Sequence, residues 1–291
     1  MKILFLTCIY GNLYGSEFGG RPSRFEQYKF SLLSLLRMSD ADFVCYTSFE
    51  EKKVLEDFFY NQNKIPKNRL EFVVFDLKST KHFDVISKFK DVESVINGDR
   101  CFEIQYNKFF WFLQNKFDYD YCFWIDAGIS HTGILPDKHL INNHSYQRYF
   151  NSNLFDNKFL SNLIDKSKDK LFLIGKSNIG SNYWSNTIPS KFYKNYDSSL
   201  HIIGGLFGGK QERLKELVTE FERLFLVVTN AEHKLYSEEQ FMSLIFSDNN
   251  NLFNLHSFDV WLHEDNLTSD YPINYLELNK SFYKILEEIK Q

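Results

Sequence analysis

Short apolar runs alternate with segments of helical periodicity through the first half of the chain. Uninterrupted apolar runs are typical of strands buried on both faces, and apolar residues three and four positions apart are typical of helices. The runs predict strands at Ile3–Tyr10, Asp42–Tyr46 and Leu70–Phe75, and the periodic segments predict helices at Glu26–Met38 and Glu51–Tyr60. This alternation predicts a parallel, doubly wound α/β sheet.

The second half of the chain has the same element types but a weaker alternation. Further helices are predicted at Phe102–Phe117, Gln211–Phe225, Ser237–Phe246 and Leu276–Ile289. Further strands are predicted at Tyr121–Ile125, Leu171–Gly175, His201–Phe207 and Leu252–Leu255. Residues 136–170 contain helical fragments, whereas residues 176–200 are polar and aperiodic and predict a loop. With neither an internal repeat nor a clear linker, we expect one domain over residues 1–291.

Composition narrows the class of protein. The chain is 43% hydrophobic and 25% charged, which is enough to build a core. Its net charge of −4 disfavours a nucleic-acid-binding protein, which would carry a basic surface. No apolar stretch reaches the roughly 18 residues of a membrane span, so we expect at most peripheral membrane contact. The N-terminal apolar run predicts a strand rather than a signal peptide. The four cysteines lack CxxC spacing, which fits a reducing cytoplasm.

The segment from Phe117 to His131, FDYDYCFWIDAGISH, places one carboxylate at the end of an apolar strand. Ligands of open α/β sheets bind outside the carboxyl ends of strands, and a carboxylate there suits a divalent cation that also holds diphosphate oxygens. Asp126 is that carboxylate, and Gly128 permits a sharp turn after it. The alternative is that Asp126 only caps the turn through its side chain.

Two later segments each allow a structural and a functional interpretation. In HIIGGLFGGK, from His201 to Lys210, paired glycines permit close approach either of a ligand or of a packed strand. In YSEEQFMSLIF, Ser237 and Gln240 have the spacing of a capping box. Acidic residues in the first turn of a helix are stabilised by the helix dipole. The functional alternative places Glu238 or Glu239 at a reaction centre.

The loop after the first strand and the histidines are weaker candidates. The loop could bind a nucleotide or be an ordinary surface loop, and its arginines suit a diphosphate; the residues concerned are Thr7, Tyr10, Gly11, Arg21, Arg24 and Glu26. A single histidine is more often structural than a ligand, and this applies to His131, His256 and His263. There is no paired Cys/His zinc spacing and no GxSxG elbow, so zinc and serine hydrolases lack support.

The segments WIDAG, GGLFGG and EEQ follow one another in an order that resembles that of GT-A glycosyltransferases. More narrowly, the chain resembles the HtrL/YibB-like family of bacterial proteins linked to lipopolysaccharide core or surface-glycan synthesis. FLTCIYG, Tyr46 to Ser48 and YNKFFWF extend the resemblance over roughly Met1 to Phe246. It implies a GT-A-like, Rossmann-like fold: a mostly parallel sheet flanked by helices, with an elaborated C-terminal half. Residues 1–130 would bind the nucleotide, and residues 131–291 would bind the acceptor and end in a helix.

The resemblance also implies roles for individual residues. Donor-binding positions would be Thr7, Tyr10, Arg24, Lys108, Asp126, Ala127, Gly128, Gly204 and Gly205. Asp126 matches the first acidic position of the DxD motif, and Gly128 stands where the second Asp is expected. Mn²⁺ or Mg²⁺ would bind Asp126 with help from His263 or His256, and His131 is a further candidate. The catalytic positions would be Glu238, Glu239 and Gln240.

The function implied is transfer of a sugar from a nucleotide sugar, expected to be a UDP sugar, to a surface-glycan, lipopolysaccharide or lipid-linked glycan acceptor. The expected location is the cytoplasm, with any membrane contact at the inner face of the inner membrane. Inversion would use Glu238 or Glu239 as a base, whereas retention would use a carboxylate or amide to stabilise a cationic centre. The missing second Asp motivates an alternative, a non-catalytic glycan-binding protein on a degenerate fold. A nucleotidyltransferase ranks last, because no clear phosphate signature follows the first strand.

Overall fold

A computed structural model describes residues 2–11, 25–90, 101–114, 119–128, 156–177, 188–195, 200–259 and 289. The described strands form one seven-stranded sheet with the order β3-β2-β1-β4-β6-β5-β7. The strands are β1 Ile3–Cys8, β2 Asp42–Thr47, β3 Leu70–Val74, β4 Tyr121–Ile125, β5 Leu171–Ser177, β6 His201–Lys210 and β7 Phe253–Asp259. The helices are α1 Phe25–Met38, α2 Phe49–Glu56, α3 Phe83–Phe89, α4 Phe102–Gln114, α5 Asn157–Lys166, α6 Gln211–Glu232 and α7 Glu238–Asp248.

The sheet is mostly parallel, as predicted. Strand β1 pairs in parallel with β2 and β4, β2 with β3, and β5 with β7. Strand β6 is the exception, since it runs antiparallel to both β4 and β5. Leu206 of β6 lies opposite Ile125 of β4, so the residues just before Leu206 extend past the carboxyl end of β4. This reversal places the first glycine pair of β6 beside Asp126.

Helices cover both faces of the sheet, which confirms the predicted α/β class. One apolar cluster joins the sheet to α3, α4, α6 and α7, and a second joins it to α1, α2 and α5. In the first cluster, the rings of Phe109 and Phe221 stack with centroids 3.9 Å apart. Full burial of one such side chain contributes roughly 1.5–3 kcal/mol, so these aromatic residues hold α4 and α6 firmly on the sheet.

Several predicted boundaries differ from the observed elements. Strand β6 continues to Lys210, three residues past the predicted end. Gly208 and Gly209 stay in the strand with φ angles of 151° and 157°, which residues with a side chain rarely adopt. An added Cβ at Gly208 would collide with the Cys122 carbonyl oxygen on β4. The second glycine pair therefore serves close strand packing. The short helix α3 was not predicted, and of the predicted C-terminal helix only Ile289 is among the described residues.

Three of the four cysteines are buried, namely Cys45, Cys101 and Cys122, and Cys8 is half-buried. Burial raises the pKa of the Cys45 and Cys122 thiols, as expected for cysteines that act as small apolar residues. Within the described part of the chain, no helix combines the length and the apolar character needed to cross a membrane.

Candidate active site

Asp126 directly follows β4 at the carboxyl edge of the sheet. Its backbone N–H donates to the Gly205 carbonyl oxygen at 2.9 Å, which ties the end of β4 to β6. Its Oδ1 accepts a hydrogen bond of 2.7 Å from the indole Nε1 of Trp124. The preceding strand is buried throughout, but the Asp126 side chain is 42% exposed. The strand thus delivers one accessible carboxylate to the edge where α/β proteins bind ligands.

Lys108 projects from α4 to the same carboxylate. Its Nζ lies 3.0 Å from Asp126 Oδ1, 2.7 Å from Glu238 Oε1 and 3.2 Å from the Gly204 carbonyl oxygen. Burial alone lowers the pKa of Lys108, but the charges of Asp126 and Glu238 outweigh it and hold that pKa above its usual value. Lys108 is therefore a buried cation that joins α4, β4, β6 and α7. We call Lys108, Asp126 and Glu238 the ion trio.

The start of α7 is a capped helix N-terminus that also directs two carboxylates towards the site. Ser237 and Gln240 form the predicted capping box, in which the Gln240 side chain accepts the Ser237 N–H at 2.9 Å. Glu238 turns inward to Lys108 and is only 4% exposed. Glu239 Oε1 accepts the Gly204 N–H at 3.0 Å, and its Oε2 lies 3.1 Å from His201 Nε2. The cap thereby fixes the direction from which both carboxylates reach β6.

The first glycine pair lies in a bulge of β6. Gly208 pairs with Phe172, and Ile203 pairs with Ile174. Between these two pairs, β6 covers five residue steps and β5 covers only two. Bulges of this kind interrupt a ladder and re-aim the backbone, often beside active sites. Here the Gly204 carbonyl faces Lys108 and its N–H faces Glu239, so side chains replace part of the strand ladder.

The two glycines of this pair meet different surroundings. A Cβ at Gly204 would lie 2.8 Å from Glu238 Oε1, which is too close for the present ion trio. A Cβ at Gly205 would lie 3.8 Å from Asp126 Oδ2 and 3.9 Å from the Ile203 side chain, which are ordinary contacts. Close packing therefore requires glycine at position 204 but not at position 205.

Gly204→Ala is expected to lower the free energy of unfolding by about 1–3 kcal/mol, because Glu238 must move away from Lys108. Gly205→Ala, one residue along the same strand, is the matched control and should cost less than about 1 kcal/mol. Urea unfolding of both variants measures the difference. Equal losses in the two variants would show that the contact with Glu238 does not set the requirement for glycine.

The charges of the ion trio favour a cation at its exposed side. One ammonium and two carboxylates leave a net charge of −1, and the exposed oxygen belongs to Asp126. A single carboxylate oxygen combined with substrate phosphates is a common way for proteins to hold Mg²⁺. The residues present therefore fit a divalent cation that binds Asp126 Oδ2. Among the described residues, no group of three His, Cys, Asp or Glu side chains forms a complete cage.

The other predicted site residues are placed differently. His256 lies on β7, and β5 and β6 separate it from β4, which corresponds to about 14 Å at the usual strand spacing. Thr7 and Ala127 are buried, and the hydroxyl of buried Tyr10 donates to the Phe75 carbonyl oxygen at 2.9 Å. The structure thus brings Lys108, Asp126, Gly204, Gly205 and the acidic start of α7 together, and it does not bring His256 to them.

Some predicted residues lie outside the described part of the chain or next to it. Arg21, Arg24, His131 and His263 are outside the described residues, so their roles stay predictions. Gly128 packs against α1, since a Cβ there would lie 2.6 Å from the ring of Tyr28. The close packing at this position accounts for glycine where the resemblance places a second acidic residue.

Sequence reasoning missed two residues of the site, Trp124 and His201. Trp124 lies two positions before Asp126, and this spacing on a strand places both side chains on one face. That signal was readable from WID alone. His201 begins the strand that carries the glycine pair, but its contact with Glu239 joins residues 38 positions apart and left no local signal.

Comparisons with known proteins give structural but no sequence matches. The sequence matches no protein-family model and no curated protein. Mouse xyloside xylosyltransferase 1 in its apo form shares 11% identity with a TM-score of 0.49, covering 97% of this chain and 94% of its own. The galactosyltransferase LgtC, in complex with donor and acceptor sugar analogues, shares 6% identity with a TM-score of 0.49, covering 98% and 95%.

A third similar structure is a CMP:2-keto-3-deoxy-manno-octonic acid synthetase complexed with CTP. It shares 10% identity with a TM-score of 0.41, covering 99% of this chain and 100% of its own. At these identities and TM-scores, the similarities do not assign a function to this chain. The narrower resemblance to the HtrL/YibB-like family stays a prediction.

Proposed function

We propose that this protein is a glycosyltransferase that moves a sugar from a nucleotide sugar to a glycan acceptor. The observation that carries the proposal is the exposed Asp126 carboxylate, which is held by Trp124 and Lys108 beside Gly205. An accessible carboxylate at the carboxyl edge of a mostly parallel sheet suits a diphosphate bound through a cation. The absence of a side chain at Gly205 beside it suits close approach of a sugar ring.

The cation, Mn²⁺ or Mg²⁺, belongs to the same proposal. Asp126 would hold it through Oδ2, and the net charge of −1 on the ion trio would favour it electrostatically. When bound, the cation would supply positive charge where the leaving diphosphate becomes more negative. The same net charge disfavours a bare diphosphate, so the protein's own residues make a cation useful. His263 stays a candidate further ligand, whereas His256 on β7 is too far from Asp126 to share the cation.

The acidic start of α7 would act at the reacting centre. Glu239 and His201 form a pair 3.1 Å apart beside Gly204, and a pair of this kind can accept a proton from an acceptor hydroxyl. Glu238 would instead hold Lys108, because it is buried with that ammonium. If the reaction retains configuration, these carboxylates would stabilise positive charge on the sugar. Both stereochemical courses remain part of the proposal.

The finer parts of the proposal concern substrates and place. We infer a UDP sugar as donor and a bacterial surface glycan, lipopolysaccharide or lipid-linked glycan as acceptor. Residues 1–130 would bind the nucleotide and residues 131–291 the acceptor. The reaction would occur in the cytoplasm, with at most peripheral contact with the inner face of the inner membrane. These expectations come from the resemblance of WIDAG, GGLFGG and EEQ; the clustering of their residues at one edge of the sheet supports only that the three segments share one site.

A second candidate is a non-catalytic glycan-binding protein. Gly128 favours it, because this residue is packed against Tyr28 and offers no second carboxylate to a cation. The two candidates differ in nucleotide binding, which only the transferase requires.

At least one nucleoside diphosphate is expected to raise the melting temperature of the protein. The increase should occur only when Mn²⁺ is present. A ligand at 100 times its dissociation constant stabilises by about 2.7 kcal/mol, which corresponds to roughly 4–5 °C for a chain of this size. Differential scanning fluorimetry measures the shift. No shift with any nucleotide, together with a shift caused by a glycan, would favour the binding protein.

A further inference from the structure

The N–H groups of Lys108 are all used inside the protein. An ammonium carries three donors. Three acceptors surround Nζ: Asp126 Oδ1 at 3.0 Å, Glu238 Oε1 at 2.7 Å and the Gly204 carbonyl oxygen at 3.2 Å. A direct contact of Lys108 with a phosphate of the donor, for which the resemblance makes it a binding position, would have to break one of these bonds. Lys108 is therefore placed to act on Asp126 rather than on a substrate.

Among the described residues, the hydrogen bonds to the Asp126 side chain converge on one of its two oxygens. Oδ1 accepts from the Trp124 indole at 2.7 Å and from Lys108 at 3.0 Å. Oδ2 lies towards Gly205, where an added Cβ would make only an ordinary contact with it at 3.8 Å. The carboxylate is thus held in an orientation that offers a single oxygen to a ligand.

We propose that Lys108 is a positioning residue that restricts Asp126 to one outward oxygen and keeps the affinity for a free divalent cation low. This inference rests on the proposed function. A hard cation takes about six oxygen ligands, and one carboxylate oxygen supplies only a small part of them. The neighbouring ammonium also repels the cation. A nucleotide diphosphate would supply the missing oxygens, so cation and nucleotide bind cooperatively.

The arrangement has a reciprocal consequence. The cation raises the affinity for the nucleotide by the same factor by which the nucleotide raises the affinity for the cation. Without the cation, the net charge of −1 on the ion trio repels the diphosphate; without the nucleotide, the cation has too few ligands. Lys108 maintains the second condition, because it occupies Oδ1 and repels the cation. Asp126 and Glu238 maintain the first, because their two negative charges outnumber the single positive charge of Lys108.

Lys108→Met is expected to bind Mn²⁺ alone about tenfold more tightly than the wild type, because one of the two contacts to Oδ1 is removed together with an opposing charge. Sugar transfer should nevertheless fall about 100-fold, since Asp126 keeps only the Trp124 bond to fix its orientation. A residue with a purely structural role would lower Mn²⁺ affinity and activity together. Titration of the variant with Mn²⁺, with free Mn²⁺ counted by electron paramagnetic resonance, separates these cases without relying on activity.

The double variant Lys108→Met/Glu238→Gln guards against misfolding of the single variant. It removes the buried pair as a unit and leaves the local net charge at −1, so any gain in Mn²⁺ affinity comes from the released Oδ1. Lys191→Met is the control, because it breaks the ion pair with Glu232 outside the site and should leave Mn²⁺ binding unchanged.

The double variant must bind Mn²⁺ more tightly than the wild type. Equal, weaker or undetectable binding would overturn the proposed role of Lys108. Failure of the proposed function has a different signature, in which the wild type binds no nucleoside diphosphate at any Mn²⁺ concentration. The two results come from separate titrations and can be told apart.

Discussion

Asp126→Asn is expected to slow sugar transfer roughly 100- to 1,000-fold. The amide oxygen can still accept from Trp124 and Lys108, so the shape of the site is kept while its outward negative charge is lost. Removal of one preorganised electrostatic group from a reaction centre typically costs this much in kcat. The Mn²⁺-dependent part of nucleotide binding should disappear in the same variant. Steady-state kinetics and scanning fluorimetry measure the two effects.

Asp120→Asn is the matched control for this substitution. Asp120 precedes the other end of β4, where its Oδ2 accepts the backbone N–H of Lys2 on the surface. The same chemical change there should leave the transfer rate within about twofold, as expected for a surface position away from the site. If Asp126→Asn keeps more than a third of the wild-type rate, Asp126 is not the group that stabilises the leaving diphosphate.

Lys108→Met should also lower the free energy of unfolding, by about 3–5 kcal/mol. Removal of the ammonium leaves Glu238 charged, 4% exposed and without its closest cation. Lys108→Met/Glu238→Gln should regain most of that loss, because replacement of a whole buried ion pair by neutral groups is often close to neutral in stability. Urea unfolding of the wild type, both single variants and the double variant completes the cycle.

Glu238→Gln alone should cost less than Lys108→Met, since Lys108 keeps its contact with Asp126 at 3.0 Å. The coupling free energy should be favourable by at least about 1 kcal/mol, as found for residues in one buried network. Strictly additive losses in the double variant would mean that Lys108 and Glu238 do not form the central contact of the ion trio.

Much of the site was predictable because its signals are local. Asp126 could be placed at a strand end from the apolar run before it, and Ser237 and Gln240 could be assigned to a capping box from their spacing. Alternation along the first half of the chain was enough to predict the parallel strands. Each of these features depends on residues a few positions apart, which a sequence shows directly.

The rest depends on contacts between distant parts of the chain. Lys108 and Glu238 are 130 positions apart, and periodicity on either helix gives no sign that they meet. The reversed direction of β6 was equally hidden, because an apolar run looks the same in either direction. That reversal decides the roles of the two glycine pairs: Gly208 packs against β4, whereas Gly205 faces Asp126.

The most direct test of the account is release of nucleoside diphosphate from nucleotide sugars. Wild-type protein would be incubated for many hours with Mn²⁺ and each common UDP, GDP and CDP sugar, in the absence of acceptor. We predict slow release from at least one donor, and loss of that release in Asp126→Asn but not in Asp120→Asn. No release from any donor by a wild-type protein that binds glycans would contradict glycosyl transfer.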